Sequence, residues 1–209
     1  RILDAARAMR MLDVTRDVIL PMLATLLGRL IELVDTHAEL PQVGRTHGQF
    51  AVPVTAGFTF AEYVARLGKC LPEIDRRAGE LRGKLRGAVG AYNATSLVTQ
   101  DPEELEQQVL KRLDLEPTEY ATQMVEPEYL LRLVQEFNVA FGVLANLADD
   151  LRNLQRSEIA EVQEHFSATQ VGSSTMPQKR NPWNSEHVKS LWKAFAPRIM
   201  TLYMDQISE

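Results

Sequence analysis

"EYLLRLVQEFNVAFGVLANLADDLRNLQR", residues Glu128–Arg156, carries the strongest periodic pattern in the chain. Apolar side chains recur in it every three or four residues: Leu130, Leu133, Val134, Phe137, Ala140, Phe141, Leu144, Leu147, Ala148, Leu151 and Leu154. This spacing places them on one helix face and predicts a helix roughly 40 Å long, at about 1.5 Å per residue. Leu131, Val139 and Val143 widen the apolar face. A helix of this kind contacts neighbours on more than one side, as in a buried bundle.

Helical spacing of apolar residues also runs from Ile2 to about Val34, where Pro21 is expected to kink or divide the helix because proline lacks an N–H. A second helix is predicted to begin at Pro53, since proline is favoured in a first turn, and to continue toward Leu81.

Two further helices are predicted from their start signals. Asp101 and Pro102 form a cap followed by a first-turn proline, and Asn181 and Pro182 repeat that combination before an apolar pattern that Pro197 kinks. The chain has no convincing strand alternation. We therefore expect an all-α protein, a long antiparallel helical bundle.

Composition limits the classes of function. The chain has 209 residues, 45% hydrophobic and 24% charged, with a net charge of -5, which argues against nucleic acid or a membrane surface as partner. No apolar run approaches the roughly 20 residues that span a bilayer. The one cysteine, Cys70, excludes an intrachain disulfide framework and favours the cytoplasm. Both termini interrupt helical patterns, so we expect a piece of a longer chain.

The first polar cluster is "GRTHGQFAVP", residues Gly44–Pro53. His47 lies there between Thr46 and Gly48, and an imidazole can give or take a proton near neutral pH. A capping or surface histidine is the alternative interpretation.

The second cluster, "EYATQMVEPEY", precedes the long helix and contains Thr122 and Gln123. The Gln123 amide can donate and accept, so it can orient a ligand carboxylate. Capping or solvating the helix end is the alternative.

The third cluster is "GSSTMPQKRNP", residues Gly172–Pro182. Lys179 supplies a positive charge, and a helix starting at Asn181 would present free N–H groups, so the segment suits a carboxylate or phosphate. Neither GxxxxGK[ST] nor GxSxG is present, which argues against nucleotide triphosphate hydrolysis and a hydrolase triad. Ser173 instead suggests an alkoxide held by positive potential. A flexible surface loop is the alternative.

"GSSTMPQKRNP" resembles the signature of the fumarase/aspartase superfamily, and "GRTHGQ" resembles its histidine-bearing segment. The THGQ form, "LRNLQRSEIAEVQE" and "ATQ" are most similar to the adenylosuccinate lyase branch. Gln178 stands where that branch has histidine, and a glutamine there is more familiar from argininosuccinate lyases.

The resemblance implies a helical-bundle homotetramer with active sites shared between subunits, and a β-elimination that releases fumarate without a metal or organic cofactor. By the same resemblance Ser173 is the base and His47 the general acid. Lys179 and Asn181 would hold the succinyl carboxylate, and the remaining substrate contacts would be Thr46, Gln123 and Ser174.

The implied substrate is a small succinyl nucleotide of purine biosynthesis, adenylosuccinate or the related SAICAR. Residues 1–209 would form the central lyase domain of an enzyme whose N-terminal domain and C-terminal part lie outside this chain, which alone would be inactive. The alternatives are another superfamily member, such as argininosuccinate lyase or carboxymuconate cycloisomerase, or a noncatalytic helical scaffold.

Overall fold

The computed structural model describes residues 2–167 and 169–207, and most of them are helical. The α-helices are α1 (Ile2–Asp13), α2 (Leu20–Thr36), α3 (Ala56–Gly79), α4 (Pro102–Lys111), α5 (Glu128–Leu154), α6 (Trp183–Phe195) and α7 (Ile199–Met204). The strands are β1 (Pro41–Thr46), β2 (Gln49–Thr55), β3 (Arg82–Gly83) and β4 (Glu116–Pro117). Short 3₁₀ turns cover Thr95–Leu97, Ala196–Arg198 and Asp205–Ile207. The expected helical fold and the predicted long helix, α5, are confirmed.

Side-chain contacts show that α3 and α5 run antiparallel. The Tyr63 hydroxyl donates to the Asp150 carboxylate, and one turn later in α3 Arg66 donates to the Asn146 side chain (2.8 Å). A later residue of α3 thus contacts an earlier residue of α5, as in an antiparallel pair. By length and composition alone α5 could cross a membrane, a property that it shares with core helices of soluble bundles.

The chain forms two compact units. The first comprises Arg1–Arg29, Gly68–Asn138 and Arg198–Glu209, and the second comprises Leu30–Leu67 and Val139–Pro197. Buried apolar side chains in the first include Leu12, Ile74, Leu81, Leu110 and Leu133, and those in the second include Leu30, Tyr63, Leu67, Ala140 and Leu147.

Pro21 divides the first helix, as predicted. Residues Val14–Ile19 form a π-helical turn between α1 and α2, and the Leu20 N–H bonds to the Thr15 carbonyl, five residues back. Proline has no N–H for the regular ladder and its ring crowds the carbonyl four residues earlier, so the wider turn relieves the mismatch.

The sequence showed no sign of strands, and the predicted helix start at Pro53 is wrong, because β1 and β2 pair antiparallel between Pro41 and Thr55. Pro53 lies in β2 opposite Val43, and α3 begins only at Ala56. A two-stranded ribbon has outward-facing edges, where proline's missing N–H breaks no ladder bond, so Pro53 is tolerated in a strand.

The predicted start of α4 is confirmed. The Asp101 carboxylate accepts the Glu104 N–H (2.9 Å), and Pro102 is the first helical residue. The aspartate accepts a backbone N–H that the helix itself leaves without a partner, which is why the sequence predicts this helix start correctly.

Candidate active site

Ser173 lies in a closed loop, residues 172–181, of the second unit. Its Oγ accepts the backbone N–H groups of Thr175 (3.4 Å) and Met176 (3.2 Å). Hydrogen bonds donated to an oxygen favour its charged form, so the two N–H groups lower the cost of removing the serine proton. The geometry suits a serine that acts as a base.

The base of this loop is closed by Asn181. Its Nδ2 donates to the Gly172 carbonyl (3.0 Å), and a Cβ built on Gly172 would lie 2.1 Å from the Lys179 carbonyl oxygen. Glycine at 172 is therefore required by the close approach of the backbone on the other side of the loop. The Asn181 amide retains a second N–H with which to hold a ligand.

Ser174 and Lys179 project from the same loop and are exposed. Neither side chain makes a hydrogen bond or ion pair with any residue in 2–167 or 169–207. Their hydroxyl and ammonium groups are thus available to an anionic ligand.

The predicted anion site at the start of α6 is wrong. The Glu164 carboxylate accepts the N–H groups of Asn184 (3.1 Å) and Ser185 (2.8 Å), together with the Asn184 amide (3.0 Å) and the Ser185 hydroxyl (2.6 Å). Asn181 does not cap the helix, which begins at Trp183. A carboxylate of the protein therefore satisfies the end that would otherwise attract an anion.

Glu164 is charged in this position. Burial raises the pKa of its carboxyl, but the bonds from the Ser185 hydroxyl, the Ser185 N–H and Asn184 outweigh burial and hold it below its usual range. The α6 start is thus electrically neutralised, and the loop's candidates for holding a substrate carboxylate are side chains, the Lys179 ammonium and the Asn181 amide.

His47 occupies the tip of the β1–β2 hairpin. Thr46 pairs with Gln49, so His47 and Gly48 form a two-residue turn, with φ of 53° and 73°. Both values are positive, as in a type I′ turn, where asparagine and glycine are usual. A histidine held in the left-handed region is uncommon and is the kind of strain that clusters at functional sites.

The His47 side chain is exposed, and no residue within the described ranges makes a hydrogen bond with it. Thr46 is exposed beside it at the end of β1. An imidazole with both nitrogens available can donate a proton to a leaving group, given a substrate within reach.

Gln123 lies in the first unit, apart from the other six candidate residues, which all belong to the second. It borders a cavity of about 760 Å³, whose lining includes Arg7, Arg82, Met124, Glu126, Tyr129, Leu130 and Gln206. The lining also includes Asp4 and Asp205, so its arginines, carboxylates and amides suit a small ligand with several polar groups and set no sign of charge for it.

Sequence reasoning missed Lys84, which holds the segment before Gln123. The Lys84 ammonium is buried, with 4% of the residue exposed, and it donates to the carbonyls of Gly87 (2.9 Å) and Thr122. Burial lowers its pKa, and the nearby carboxylates of Asp4 and Glu106 oppose that shift. A buried lysine whose donors end on backbone carbonyls orders the loop that contains them.

Gly90 approaches the same segment from the other side. It has φ of 78°, and a Cβ there would lie 1.7 Å from the Ala121 carbonyl oxygen. Among the described residues, no group of three or more His, Cys, Asp and Glu side chains could hold a metal ion.

The family model described as Lyase matches residues 3–194. This chain belongs to the lyase family. The prediction of that superfamily from "GSSTMPQKRNP" is confirmed, because the match spans both the hairpin and the serine loop.

Curated relatives and a solved structure refine the comparison for this lyase-family chain. It is 37% identical over 163 residues to an adenylosuccinate lyase of Pyrococcus abyssi, covering 78% of the chain and 36% of the relative. It is 35% identical over 191 residues to an adenylosuccinate lyase of Synechocystis sp., covering 91% and 43%. The chain thus spans less than half the length of these relatives.

The fold matches the crystal structure of 3-carboxy-cis,cis-muconate lactonizing enzyme from Pseudomonas putida, with a TM-score of 0.86 and 26% identity. The match covers 99% of this lyase-family chain and 45% of that structure.

Proposed function

We propose that this chain supplies the helical core of an adenylosuccinate lyase-like enzyme, which releases fumarate from a succinyl-amine nucleotide in purine biosynthesis. The observation that carries the proposal is the Ser173 Oγ, which accepts two backbone N–H groups in a loop that also bears Lys179. The curated relatives reported above are adenylosuccinate lyases, which supports this substrate class over others.

The proposed reaction is a β-elimination. Ser173, as the alkoxide, takes the proton from the carbon beside a carboxylate, and the electron pair of that C–H bond forms the new C=C bond. The C–N bond breaks and its electrons stay on nitrogen, to which His47 delivers a proton. Lys179 and the free Asn181 amide N–H stabilise the charge that builds on the carboxylate in the transition state. Thr46, Gln123 and Ser174 complete the substrate contacts.

Assembly is part of the proposal: a cytoplasmic homotetramer whose active sites combine residues of more than one subunit. Large apolar side chains exposed on α6 support an assembly, because monomers rarely expose such surfaces; Trp183 is 54% exposed and Leu191 is 51% exposed. Light scattering on the full-length protein is expected to give four times the subunit mass, and a monomer would contradict this part.

Fumarate release tests the function. Full-length enzyme is incubated with adenylosuccinate, SAICAR, argininosuccinate and a carboxymuconate lactone, and each product is measured. We expect fumarate from the two purine substrates. Turnover of argininosuccinate or of the lactone alone would favour the corresponding alternative enzyme, and turnover of none would favour a helical scaffold.

A further inference from the structure

The segment that follows α5, residues 155–164, touches both elements that carry the proposed chemistry. We refer to it as the connector. The Gln155 side chain fastens it at two points, accepting the Glu164 N–H (2.8 Å) and donating to the Arg180 carbonyl (3.0 Å). The connector is thus tied to itself and to the end of the Ser173 loop.

Through Glu161 the connector contacts the His47 hairpin. The two Glu161 carboxylate oxygens accept from Arg45 (2.5 Å) and from the Gln42 amide (3.0 Å), both on β1. The Arg45 and Glu161 side chains are 20% and 23% exposed, so solvent screens this ion pair only in part. Arg45 precedes His47 by two residues, so this bond fixes the strand at the base of the turn.

A cavity of about 540 Å³ adjoins the hairpin, and its lining includes Val43, Ala51, Phe60, Leu154 and Val162. The bonds to Glu161 therefore lie beside a partly open apolar surface and add directional attachment to the hairpin. The Thr59 hydroxyl adds one more, donating to the Gln42 side-chain oxygen (2.7 Å).

Through Glu164 the connector contacts the start of α6, which directly follows the Ser173 loop. The four hydrogen bonds of Glu164 to Asn184 and Ser185, described above, fix the first turn of α6 directly after the loop. Ser185 is buried, with 5% exposed. Two carboxylates three residues apart therefore hold the two chemistry-bearing elements to one short segment.

We propose that Glu161 and Glu164 are positioning residues, Glu161 for the His47 turn and Glu164 for the Ser173 loop. The role in turnover rests on the proposed function, whereas the anchoring itself is a property of the fold. Neither residue takes part in proton transfer. Their effect reaches the reaction because displacing a reacting group by about 1 Å can cost about a hundredfold in rate.

The test compares Glu161→Gln, Glu164→Gln and the matched control Glu158→Gln in the full-length enzyme. Glu158 lies in the same connector, is 59% exposed, and pairs only with Arg156 within the part of the chain described. We expect kcat to fall tenfold to a hundredfold in the first two variants, with KM changed less than about threefold, and no change in the control. The exchanged pair Arg45→Glu with Glu161→Arg is expected to recover part of kcat.

Amide hydrogen exchange provides a readout that needs no substrate. Exchange is expected to accelerate over residues 43–50 in Glu161→Gln and over residues 172–185 in Glu164→Gln, and nowhere else. Unchanged exchange would overturn the anchoring, whether or not the enzyme is active. Accelerated exchange with normal kcat would overturn the positioning role. A wild-type enzyme that releases no fumarate would overturn the proposed function alone, since exchange still decides the anchoring.

Should Glu164→Gln fail to fold, Ser185→Ala removes one of its four bonds and leaves the carboxylate in place. Its expected effect has the same direction and is smaller. Equal kcat and equal exchange in Ser185→Ala and wild type would then count against Glu164.

Discussion

His47 carries an imidazole at a backbone position that hairpins usually give to asparagine or glycine. Its φ of 53° lies in the left-handed region, which asparagine also tolerates. His47→Asn therefore keeps the turn and removes only the proton donor. We expect kcat to fall about 10²- to 10⁴-fold, measured as the rate of fumarate release. Normal turnover by the variant would remove His47 from the role of acid.

Ser173 and Ser174 are adjacent but have different surroundings. Only Ser173 accepts backbone N–H groups through its Oγ, whereas Ser174 is exposed. Ser173→Ala is expected to lower kcat about 10²- to 10⁴-fold while substrate still binds, because the carboxylate contacts remain.

Ser174→Ala is the paired variant and is expected mainly to raise KM. Steady-state kinetics and calorimetric binding of adenylosuccinate distinguish the two. Equal kcat losses in both variants would contradict the assignment of Ser173 as the base.

At the scale of elements, two glycines of one loop allow a matched comparison. Gly87 and Gly90 both have positive φ, 79° and 78°, but a Cβ meets nothing within 4 Å at Gly87 and meets the Ala121 carbonyl at Gly90. Gly87→Ala is expected to lower the free energy of unfolding by about 1–2 kcal/mol, the cost of a left-handed alanine.

Gly90→Ala carries that cost and also displaces the segment before Gln123. We therefore expect it to be the less stable variant and to raise KM in addition. Urea denaturation and steady-state kinetics of both variants provide the measurement. Indistinguishable stabilities and KM values would show that the contact with Ala121 is unimportant.

The sequence predicted helices α4 and α5 more accurately than it predicted the hairpin. The α5 stripe and the Asp101–Pro102 start rest on local periodicity and capping, which act within a few residues. In the hairpin, Pro53 imitated a helix start, although His47–Gly48 between two β-prone runs is also a turn signal. The pairing of β1 with β2 decides that Pro53 lies in a strand and does not begin a helix.

At the scale of the whole molecule, carboxylates that accept hydrogen bonds from cations make stability depend on pH in the acid range. A hydrogen bond from Lys189 lowers the pKa of Asp149, and a hydrogen bond from Arg45 lowers that of Glu161. Each carboxylate binds its proton more readily in the unfolded chain. Their contribution to the free energy of unfolding is therefore complete above the ordinary carboxyl pKa range, about pH 4. It is lost as the pH falls through the lower pKa values of the folded state.

We expect the urea midpoint of the full-length protein to be constant from pH 6 to 8, as far as these groups determine it, and to fall below about pH 4.5. Glu161→Gln is expected to show a shallower fall, because it has no such proton to take up. Identical acid profiles for the variant and the wild type would contradict the assigned ion pair with Arg45.

The sequence revealed some residues of the candidate site, and only the structure revealed the others. Ser173, His47, Lys179 and Asn181 were identified from "GSSTMPQKRNP" and "GRTHGQ", because their residue types and spacing are contiguous in the chain. Their roles remain predictions. The groups that hold their segments were not identified, since Glu161 and Glu164 look like ordinary charged residues in sequence.

By itself the amino-acid sequence determined the long helix α5, the cap of α4, the break at Pro21 and the family, all of which depend on neighbours within a few residues or on a contiguous motif. Only the tertiary structure decided that Glu164 takes up the free N–H groups of α6 and that Glu161 holds the hairpin. Arg45 and Glu161 are 116 positions apart in the chain. Such bonds form only once folding brings distant segments of the chain together, and local periodicity contains no record of them.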